Sequence, residues 1–293
     1  MISVLVLTRN EEDNLPGCLE SVSWSDDVHV FDSCSEDRTV EIARRAGAHV
    51  ASRPFDNFAA QRNAALRQCA FRHPWVLILD ADERVPTALA AEMLDFVASA
   101  PAQIVAARMR RRDFLYGTWL KHAQLSPYYL RLVRPECVYY EREVNEVLNV
   151  DGAIHELRSP FDHYPFSKGM AHWLAKHNLY STLEAEVTLK TRRVTEVSLL
   201  RALFARDFHE RRVHQKALFY RMPFRPTIRF LYSYVIRLGL LDGRAGFAYA
   251  ALQGIYEYFI VLKTRELESA RRAGRTARAN DGVTAATRPA IRS

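Results

Sequence analysis

Three short apolar runs in the first hundred residues each end abruptly at a polar residue. Continuous runs of Val, Ile and Leu are typical of strands that are buried on both faces of a parallel sheet. The segments between the runs carry apolar residues at helical spacing. This order of strand and helix predicts an α/β domain whose polar strand ends lie along one edge of a sheet. The runs and the residues that end them are 2–7 with Thr8, 28–31 with Asp32, and 75–79 with Asp80.

The rest of the chain changes character twice. Residues 103–163 mix short strand-like stretches with loops that contain aromatic residues and Pro, and we interpret them as the remainder of the first domain. Residues 168–268 show helical spacing with many arginines, which predicts a helical, basic, amphipathic extension. Residues 269–293 lack apolar periodicity, which predicts a disordered basic tail. The α/β domain is accordingly expected to span residues 1–167.

The net charge of +7 lies mainly in the second half of the chain and favours an anionic partner. Nucleic acid and an anionic membrane surface both fit the charge alone. The stretch 199–216 alternates leucine and phenylalanine with arginines, which favours a helix lying on an anionic leaflet. No secretory pattern opens the sequence, and its four cysteines form no C-x-x-C pair. We therefore expect a cytoplasmic protein that attaches peripherally to the inner face of the cytoplasmic membrane.

Asp80-Ala81-Asp82 is the strongest chemical signal in the sequence. It follows a buried strand, and carboxylate oxygens suit a Mg²⁺ or Mn²⁺ ion that bridges two phosphates. Asp32 ends another predicted strand, where its carboxylate could accept hydrogen bonds from a ribose or a base edge. An ordinary Asx turn is the alternative. Neither a G-x-G-x-x-G nor a G-x-x-x-x-G-K-[ST] occurs, so a metal has to replace the glycine-rich phosphate cradle.

Four motifs together resemble the family 2 glycosyltransferases. The resemblance implies a GT-A fold, which is a Rossmann-like mixed sheet flanked by helices, here with a C-terminal helical extension. It also implies a nucleoside diphosphate sugar donor, a divalent metal and inversion at the anomeric carbon. The motifs are residues 4–11, residues 32–39, Gln61-Arg62-Asn63 and Asp80-Ala81-Asp82.

The same resemblance assigns roles within the predicted donor site, residues 1–100. Asp80 is expected to face the nucleotide and Asp82 the metal. The segment around Gln61 approaches the donor in this family, with a solvated helix face as the alternative. The remaining donor-binding candidates are Thr8, Arg9 and Glu11 beside the nucleoside, Asp32 on the uracil or ribose, and Gln61, Arg62 and Asn63.

Residues 101–167 are expected to supply the acceptor site and the catalytic base. Within the family, the sequence is most similar to the branch that acts on lipopolysaccharide core, represented by the heptose β-1,4-glucosyltransferases. That branch commonly has Val-His-Glu where this chain has Val144-Asn145-Glu146. An inverting transfer needs one general base, for which Glu146 is the first candidate and Glu156 the alternative. His163 is a candidate metal ligand or a donor to the departing diphosphate, with a structural role equally open.

The predicted function is therefore inverting, metal-dependent transfer of a hexose from a nucleoside diphosphate sugar, with UDP the expected nucleotide. The acceptor is an anionic glycan or glycolipid such as a lipopolysaccharide core precursor. A sugar-phosphate nucleotidyltransferase needs a glycine-rich loop where residues 8–11 stand. A non-enzymatic nucleic-acid-binding protein would explain the basic charge and not the acidic strand ends, and no nucleic-acid partner is expected.

Overall fold

The computed structural model describes residues 1–141, 147–194, 198–204 and 207–286. The chain divides into two compact units, Met1–Gly169 and Met170–Ser293.

The first unit begins with four parallel strands connected by helices. Their order in the sheet is β3-β2-β1-β4, and Thr8 pairs with Asp32 while Leu7 pairs with Asp80. The polar strand ends therefore lie along one edge, as the apolar runs predict. The strands are β1 Ser3–Thr8, β2 Val28–Asp32, β3 His49–Ser52 and β4 Val76–Asp80, and the helices are α1 Leu15–Ser21, α2 Thr39–Arg45, α3 Phe58–Gln68 and α4 Thr87–Ser99.

Antiparallel strands complete the sheet beyond β4. β8 pairs antiparallel with both β4 and β6, and β11 and β12 pair parallel with β6. The result is a mixed ten-stranded sheet with a separate β9–β10 pair, which confirms the predicted α/β class. These strands are β5 Glu83–Arg84, β6 Ile104–Leu115, β7 Thr118–Trp119, β8 Tyr128–Val133, β9 Val138–Glu141, β10 Val147–Val150, β11 Ala153–Glu156 and β12 Phe161–His163.

Two hydrophobic clusters cover the two faces of this sheet. Alternate residues of a strand point to opposite faces, so Leu77 and Leu79 of β4 join one cluster while Val76 and Ile78 join the other. The first cluster includes Leu89 of α4, and the second includes residues of α3, β9 and β10. The sheet is thus buried on both faces, and at its carboxyl edge Asp80 and Asp82 are partly exposed.

The second unit is helical, as expected for the extension. α9 continues to Ala286, into the segment from residue 269 that the sequence predicts to be a disordered basic tail, and that prediction stays a prediction. Alanine and arginine have high helix propensity and extend an existing helix at little cost, whereas residues 287–293 lie outside the described part. The helices are α5 Gly169–Val194, α6 Leu199–Phe204, α7 Phe208–Phe219, α8 Arg225–Leu231 and α9 Gly243–Ala286, with a π-helical turn at Tyr232–Ile236 and a 3₁₀ turn at Gly239–Asp242.

Glycine is required where the 3₁₀ turn meets α9. A Cβ on Gly246 would lie 1.9 Å from the carbonyl oxygen of Gly239, far inside van der Waals contact. Within the described residues, the stretch Gly239–Arg271 is long and apolar enough to cross a membrane by length and composition, although core helices of soluble proteins also meet that criterion.

Candidate active site

The loops after β1 and β2 are joined by hydrogen bonds around Asp32. This carboxylate is fully buried and accepts from Thr8 Oγ1 at 2.8 Å and from the Ser35 amide and hydroxyl at 2.7 and 2.5 Å. The backbone of Asn10 adopts a positive φ of 53°, and its amide donates to Ser35 Oγ at 2.8 Å. Asp32 therefore fixes the shape of the loops in this conformation, whereas its predicted contact with the nucleoside stays a prediction.

Glu11 lies between two other polar groups of the first unit. Its carboxylate accepts from Asn14 Nδ2 at 2.7 Å and pairs with Lys168 Nζ at 2.5 Å. Burial raises the pKa of Glu11, and these two partners oppose that rise. Arg9 stacks its guanidinium 5.6 Å from the ring of Phe55. Lys168 was not predicted, because an isolated lysine 157 positions away gives no local signal of this contact.

Three consecutive residues of α3 make three different contacts. Gln61 donates to Ser33 Oγ at 3.0 Å, and Arg62 donates to Asp80 Oδ1 at 2.8 Å. Asn63 pairs with both backbone groups of Tyr140, donating to its oxygen and accepting from its amide at 2.8 Å each. All three were predicted to approach the donor; here they connect α3 to the loop after β2, to β4 and to β9.

Asp80 belongs to a buried charge network. Its second oxygen accepts from Arg131 Nη2 at 2.9 Å, and Arg131 also pairs with Glu83, which is only 1% exposed. Burial alone raises the pKa of Asp80, but the charges of Arg62 and Arg131 outweigh burial and lower it. Burial raises the pKa of Glu83. Both Asp80 oxygens thus have protein partners, and its predicted orientation towards the nucleotide stays a prediction.

Asp82 and His163 come together at the same edge. His163 Nε2 lies 3.3 Å from Asp82 Oδ2, and His163 Nδ1 lies 2.5 Å from Asp113 Oδ1. Asp113 is 2% exposed and also accepts from Gln124 Nε2 at 2.7 Å. Burial alone lowers the pKa of His163, but hydrogen bonds to Asp113 and Asp82 overcome burial and raise it to about 9.

This pair fits a divalent cation. Two ligand atoms at about 2.1 Å and at right angles to each other around one ion are about 3.0 Å apart, close to the separation of His163 Nε2 and Asp82 Oδ2. A histidine ligand commonly donates its other ring nitrogen to a carboxylate, as His163 does to Asp113. No group of three His, Cys, Asp or Glu suited to a metal occurs among the described residues.

Asp113 was not predicted from the sequence. It follows three arginines in a region of mixed pattern, where nothing local indicates that β12 returns parallel to β6 and pairs His163 with Asp113.

Of the two candidate bases, Glu156 lies among the described residues. Glu146 lies outside the described residues, but its neighbour Val147 pairs with Glu141 in the β9–β10 ladder. Glu156 pairs with Arg108 on β6, five residues or roughly 17 Å along the strand from Asp113. Its carboxylate accepts from Tyr128 Oη at 2.6 Å and from Arg108 at 2.9 Å, and the Tyr128 hydrogen bond lowers its pKa. The structure therefore does not bring Glu156 to the Asp82–His163 pair.

The mixed sheet, the acidic end of β4 and the histidine that meets it define a GT-A type of glycosyltransferase. Residues 3–152, half of the chain, match the family described as "Glycosyl transferase family 2". The chain belongs to this family and is a glycosyltransferase, which decides against the nucleotidyltransferase and the non-enzymatic alternatives.

Individual relatives agree with that assignment. The lipopolysaccharide core biosynthesis glycosyltransferase LpsC of Rhizobium meliloti is 28% identical over 271 residues, covering 89% of this chain and 91% of the relative. An uncharacterized glycosyltransferase of Rickettsia typhi is 28% identical, covering 64% and 68%. Among solved structures, the mannosyltransferase PcManGT of Pyrobaculum calidifontis in complex with GDP-Man and Mn²⁺ is 16% identical with a TM-score of 0.49, covering 90% and 86%.

Proposed function

We propose that this glycosyltransferase transfers a hexose, with inversion, from a UDP-sugar to a hydroxyl of a bacterial cell-surface glycan precursor. The observation that carries the proposal is the convergence of Asp82, His163 and Asp113 at the carboxyl edge of the sheet. The similarity to LpsC along nearly the whole chain supports lipopolysaccharide core as the acceptor class.

Asp82 and His163 are the residues that would hold Mg²⁺ or Mn²⁺. When bound, such an ion neutralises negative charge on the leaving diphosphate. Asp113 accepts the Nδ1 proton of His163 and so orients the ring. Nε2, which faces Asp82, is the nitrogen that would bind the ion once it has released its proton. Arg62 and Arg131 hold the Asp80 carboxylate, and the buried Asp32 holds the loop that leads to Arg9 and Glu11.

Glu146 is the proposed base that removes the proton from the attacking hydroxyl. A single displacement needs one such group, on the side of the sugar opposite the leaving diphosphate. Two contacts support this choice. Asn63 binds the backbone of Tyr140, one residue before Glu141, and the preceding residue of α3, Arg62, binds Asp80. The described ends of the segment containing Glu146 are thereby connected to the edge that carries Asp80 and Asp82.

The test compares three glutamate variants. We expect Glu146→Gln to lower transfer by about 10²- to 10⁴-fold, the usual contribution of a general base, with donor affinity unchanged. The matched control Glu141→Gln, at an exposed position, should keep transfer near the wild-type rate, and Glu156→Gln, whose carboxylate holds Arg108 and Tyr128, should lower it far less than Glu146→Gln. The donor is first chosen by nucleotide release from a panel of UDP-, GDP- and dTDP-sugars with Mn²⁺. Wild-type turnover by Glu146→Gln would refute the assignment of the base.

The metal proposal has a separate readout. Binding of Mn²⁺ in the presence of UDP is measured by electron paramagnetic resonance, without turnover. Asp82→Asn should weaken this binding strongly, whereas Asp162→Asn, a carboxylate that pairs with Arg112 instead, should retain it. Equal Mn²⁺ affinity in both variants would contradict the proposed site.

We also propose that the second unit attaches to an anionic membrane surface. Between residues 224 and 247 several apolar side chains are exposed, including Phe224 at 79%, Ile236 at 71% and Leu241 at 60%. Arg244 lies within this segment and Arg221 just before it, and both are exposed as well. Exposed apolar residues beside cations suit the boundary between acyl chains and anionic headgroups.

The sequence favours residues 199–216 for this attachment, so the test compares both segments. The full chain is floated with vesicles of phosphatidylethanolamine, with and without phosphatidylglycerol. We expect Ile236→Ser/Leu241→Ser to lose flotation and Leu199→Ser/Leu200→Ser, a pair of equally exposed leucines in α6, to retain it. The opposite result would assign attachment to 199–216, and no flotation of the wild type would refute it altogether.

A further inference from the structure

A row of arginines lies on one face of β6. Arg108, Arg110 and Arg112 occupy alternate positions of the strand and therefore point to the same side of the sheet. Arg108 and Arg110 are exposed and Arg112 is partly exposed. We call these three residues, together with Trp119, Lys121 and Tyr128, the arginine–aromatic strip.

Aromatic rings separate the cations of the strip. The guanidinium carbons of Arg108 and Arg110 lie 5.1 and 5.0 Å from the centre of the Tyr128 ring. Arg112 and Lys121 lie 5.6 and 5.7 Å from the Trp119 ring. Cations at these distances interact with the ring faces, so rings and charged groups form one continuous surface.

Hydrogen bonds fix the strip in place. Glu156 accepts from Arg108 and from Tyr128 Oη, and Asp162 accepts from Arg112 Nε at 2.5 Å. Arg110 donates its Nε to Tyr128 Oη at 2.7 Å. The strip thus sets four cations against two carboxylates and has a net positive charge. Glu156, the alternative base in the sequence, here orients Tyr128 and Arg108.

One end of the strip lies at the same end of β6 as the residue that holds His163. Arg112 immediately precedes Asp113, and as neighbouring residues of a strand the two side chains point to opposite faces of the sheet. Tyr116 and Gly117, both with positive φ, turn the chain between β6 and β7 and leave Tyr116 72% exposed. From Arg108 to Phe114, which pairs with Trp119, the strip runs about 20 Å along β6, the length of several sugar rings. α3 and β9 pack on the same face of the sheet through Ala106.

We propose that the arginine–aromatic strip binds a phosphate-bearing oligosaccharide acceptor. The guanidinium groups suit phosphate oxygens, and the rings of Tyr128 and Trp119 hold these cations apart along the strand. This inference rests on the proposed function, since it extends from the site of sugar transfer. A nucleic acid is the competing polyanion.

The test measures binding without turnover, so it can fail independently of the proposed reaction. The probes are core oligosaccharide released from lipopolysaccharide by mild acid, the same material dephosphorylated with hydrofluoric acid, and a single-stranded oligonucleotide. The variant Arg110→Gln/Lys121→Gln removes two positive charges and keeps the Arg108–Glu156 and Arg112–Asp162 pairs. Arg44→Gln/Arg45→Gln, at exposed positions of α2, removes the same charge elsewhere.

We expect the strip variant to bind the phosphorylated oligosaccharide about tenfold more weakly than the wild type, as loss of charge-assisted hydrogen bonds predicts. The control variant Arg44→Gln/Arg45→Gln should bind as the wild type does. For the dephosphorylated oligosaccharide, the affinities of the strip variant and the wild type should differ far less. Three results would overturn the proposal: equal affinity of the strip variant and the control, an equal loss for both oligosaccharides, or a wild-type preference for the oligonucleotide.

Discussion

The two units of this glycosyltransferase differ in the apolar surface that they expose, although both bury charged side chains, among them the Arg225–Glu257 pair of the second unit. In Met1–Gly169, Arg131, Glu83 and Asp113 are at most 7% exposed, and each has an oppositely charged partner. In Met170–Ser293, Phe224, Ile236 and Leu241 are at least 60% exposed. A buried ion network holds one arrangement because losing any partner is costly. An exposed apolar surface contributes little to folding stability and is instead available to contact a membrane or another protein.

The strongest way to break this contrast is to remove the cation at the centre of the buried network. We expect Arg131→Met to destabilise the protein by about 3–5 kcal/mol, because Glu83 and Asp80 would lose a partner they share. Chemical denaturation measures the loss. The double variant Arg131→Met/Glu83→Gln should recover part of it, and Arg38→Met, in an exposed pair with Glu12, should unfold as the wild type does. A stable Arg131→Met protein would show that the network is dispensable.

The helical unit has its own constrained point at Gly246. We expect Gly246→Ala to cost about 1–3 kcal/mol or more, since the new Cβ would collide with the backbone oxygen of Gly239. The matched control is Gly254→Ala, whose Cβ would lie 3.2 Å from the Pro226 oxygen and would gain helix propensity. Thermal melts of both variants give the comparison, and equal melting temperatures would contradict the close approach at Gly246.

Acid should affect the sheet of the first unit through Asp27. Burial raises the pKa of Asp27, but hydrogen bonds from Ser3 and the Arg72 amide, with the nearby His29, lower it to below its ordinary value. Its contribution to stability is therefore complete above the unfolded pKa of about 3.9 and is lost as the pH falls through the folded pKa. Urea midpoints between pH 3 and 7 should fall less steeply for Asp27→Asn than for the wild type. The exposed control Asp13→Asn should keep the wild-type profile.

The smallest effect should come from the exposed apolar surface. We expect Ile236→Ser to change stability by less than about 0.5 kcal/mol, whereas Ile78→Val in the fully buried core should cost about 0.5–1.5 kcal/mol. Both values come from the same denaturation experiment. A large loss for Ile236→Ser would mean that the side chain supports the fold, and it would weaken the contrast between the two units.

The sequence predicts the donor-side sheet well because its signals are local. The apolar runs before Thr8, Asp32 and Asp80 need no knowledge of distant residues, and the strands end at these residues. The conformation of the loop after β1 is not evident from the same local signals: Asn10 has a positive φ and accepts from the Glu36 amide, 26 positions away.

The other half of the site could not be predicted, because its contacts join distant parts of the chain. Asp113 meets His163 fifty positions later, and Lys168 meets Glu11 across 157 positions. Asp32, Asn63 and Asp80 are recognisable as motif residues, but which partners occupy their polar atoms depends on strand order. Residue type and spacing predict which polar residues lie at the sheet edge better than they predict the hydrogen bonds that these residues make.

The three adjacent contacts of α3 limit how this helix can change over evolution. Gln61, Arg62 and Asn63 reach the loop after β2, strand β4 and strand β9 from neighbouring positions. Each residue added to a helix rotates all later residues of that helix by about 100°. A single insertion or deletion earlier in α3 would therefore misdirect all three side chains at once, whereas a substitution disturbs one. Lineages of this enzyme should accordingly vary the length of the loops around α3 while its residue count stays constant.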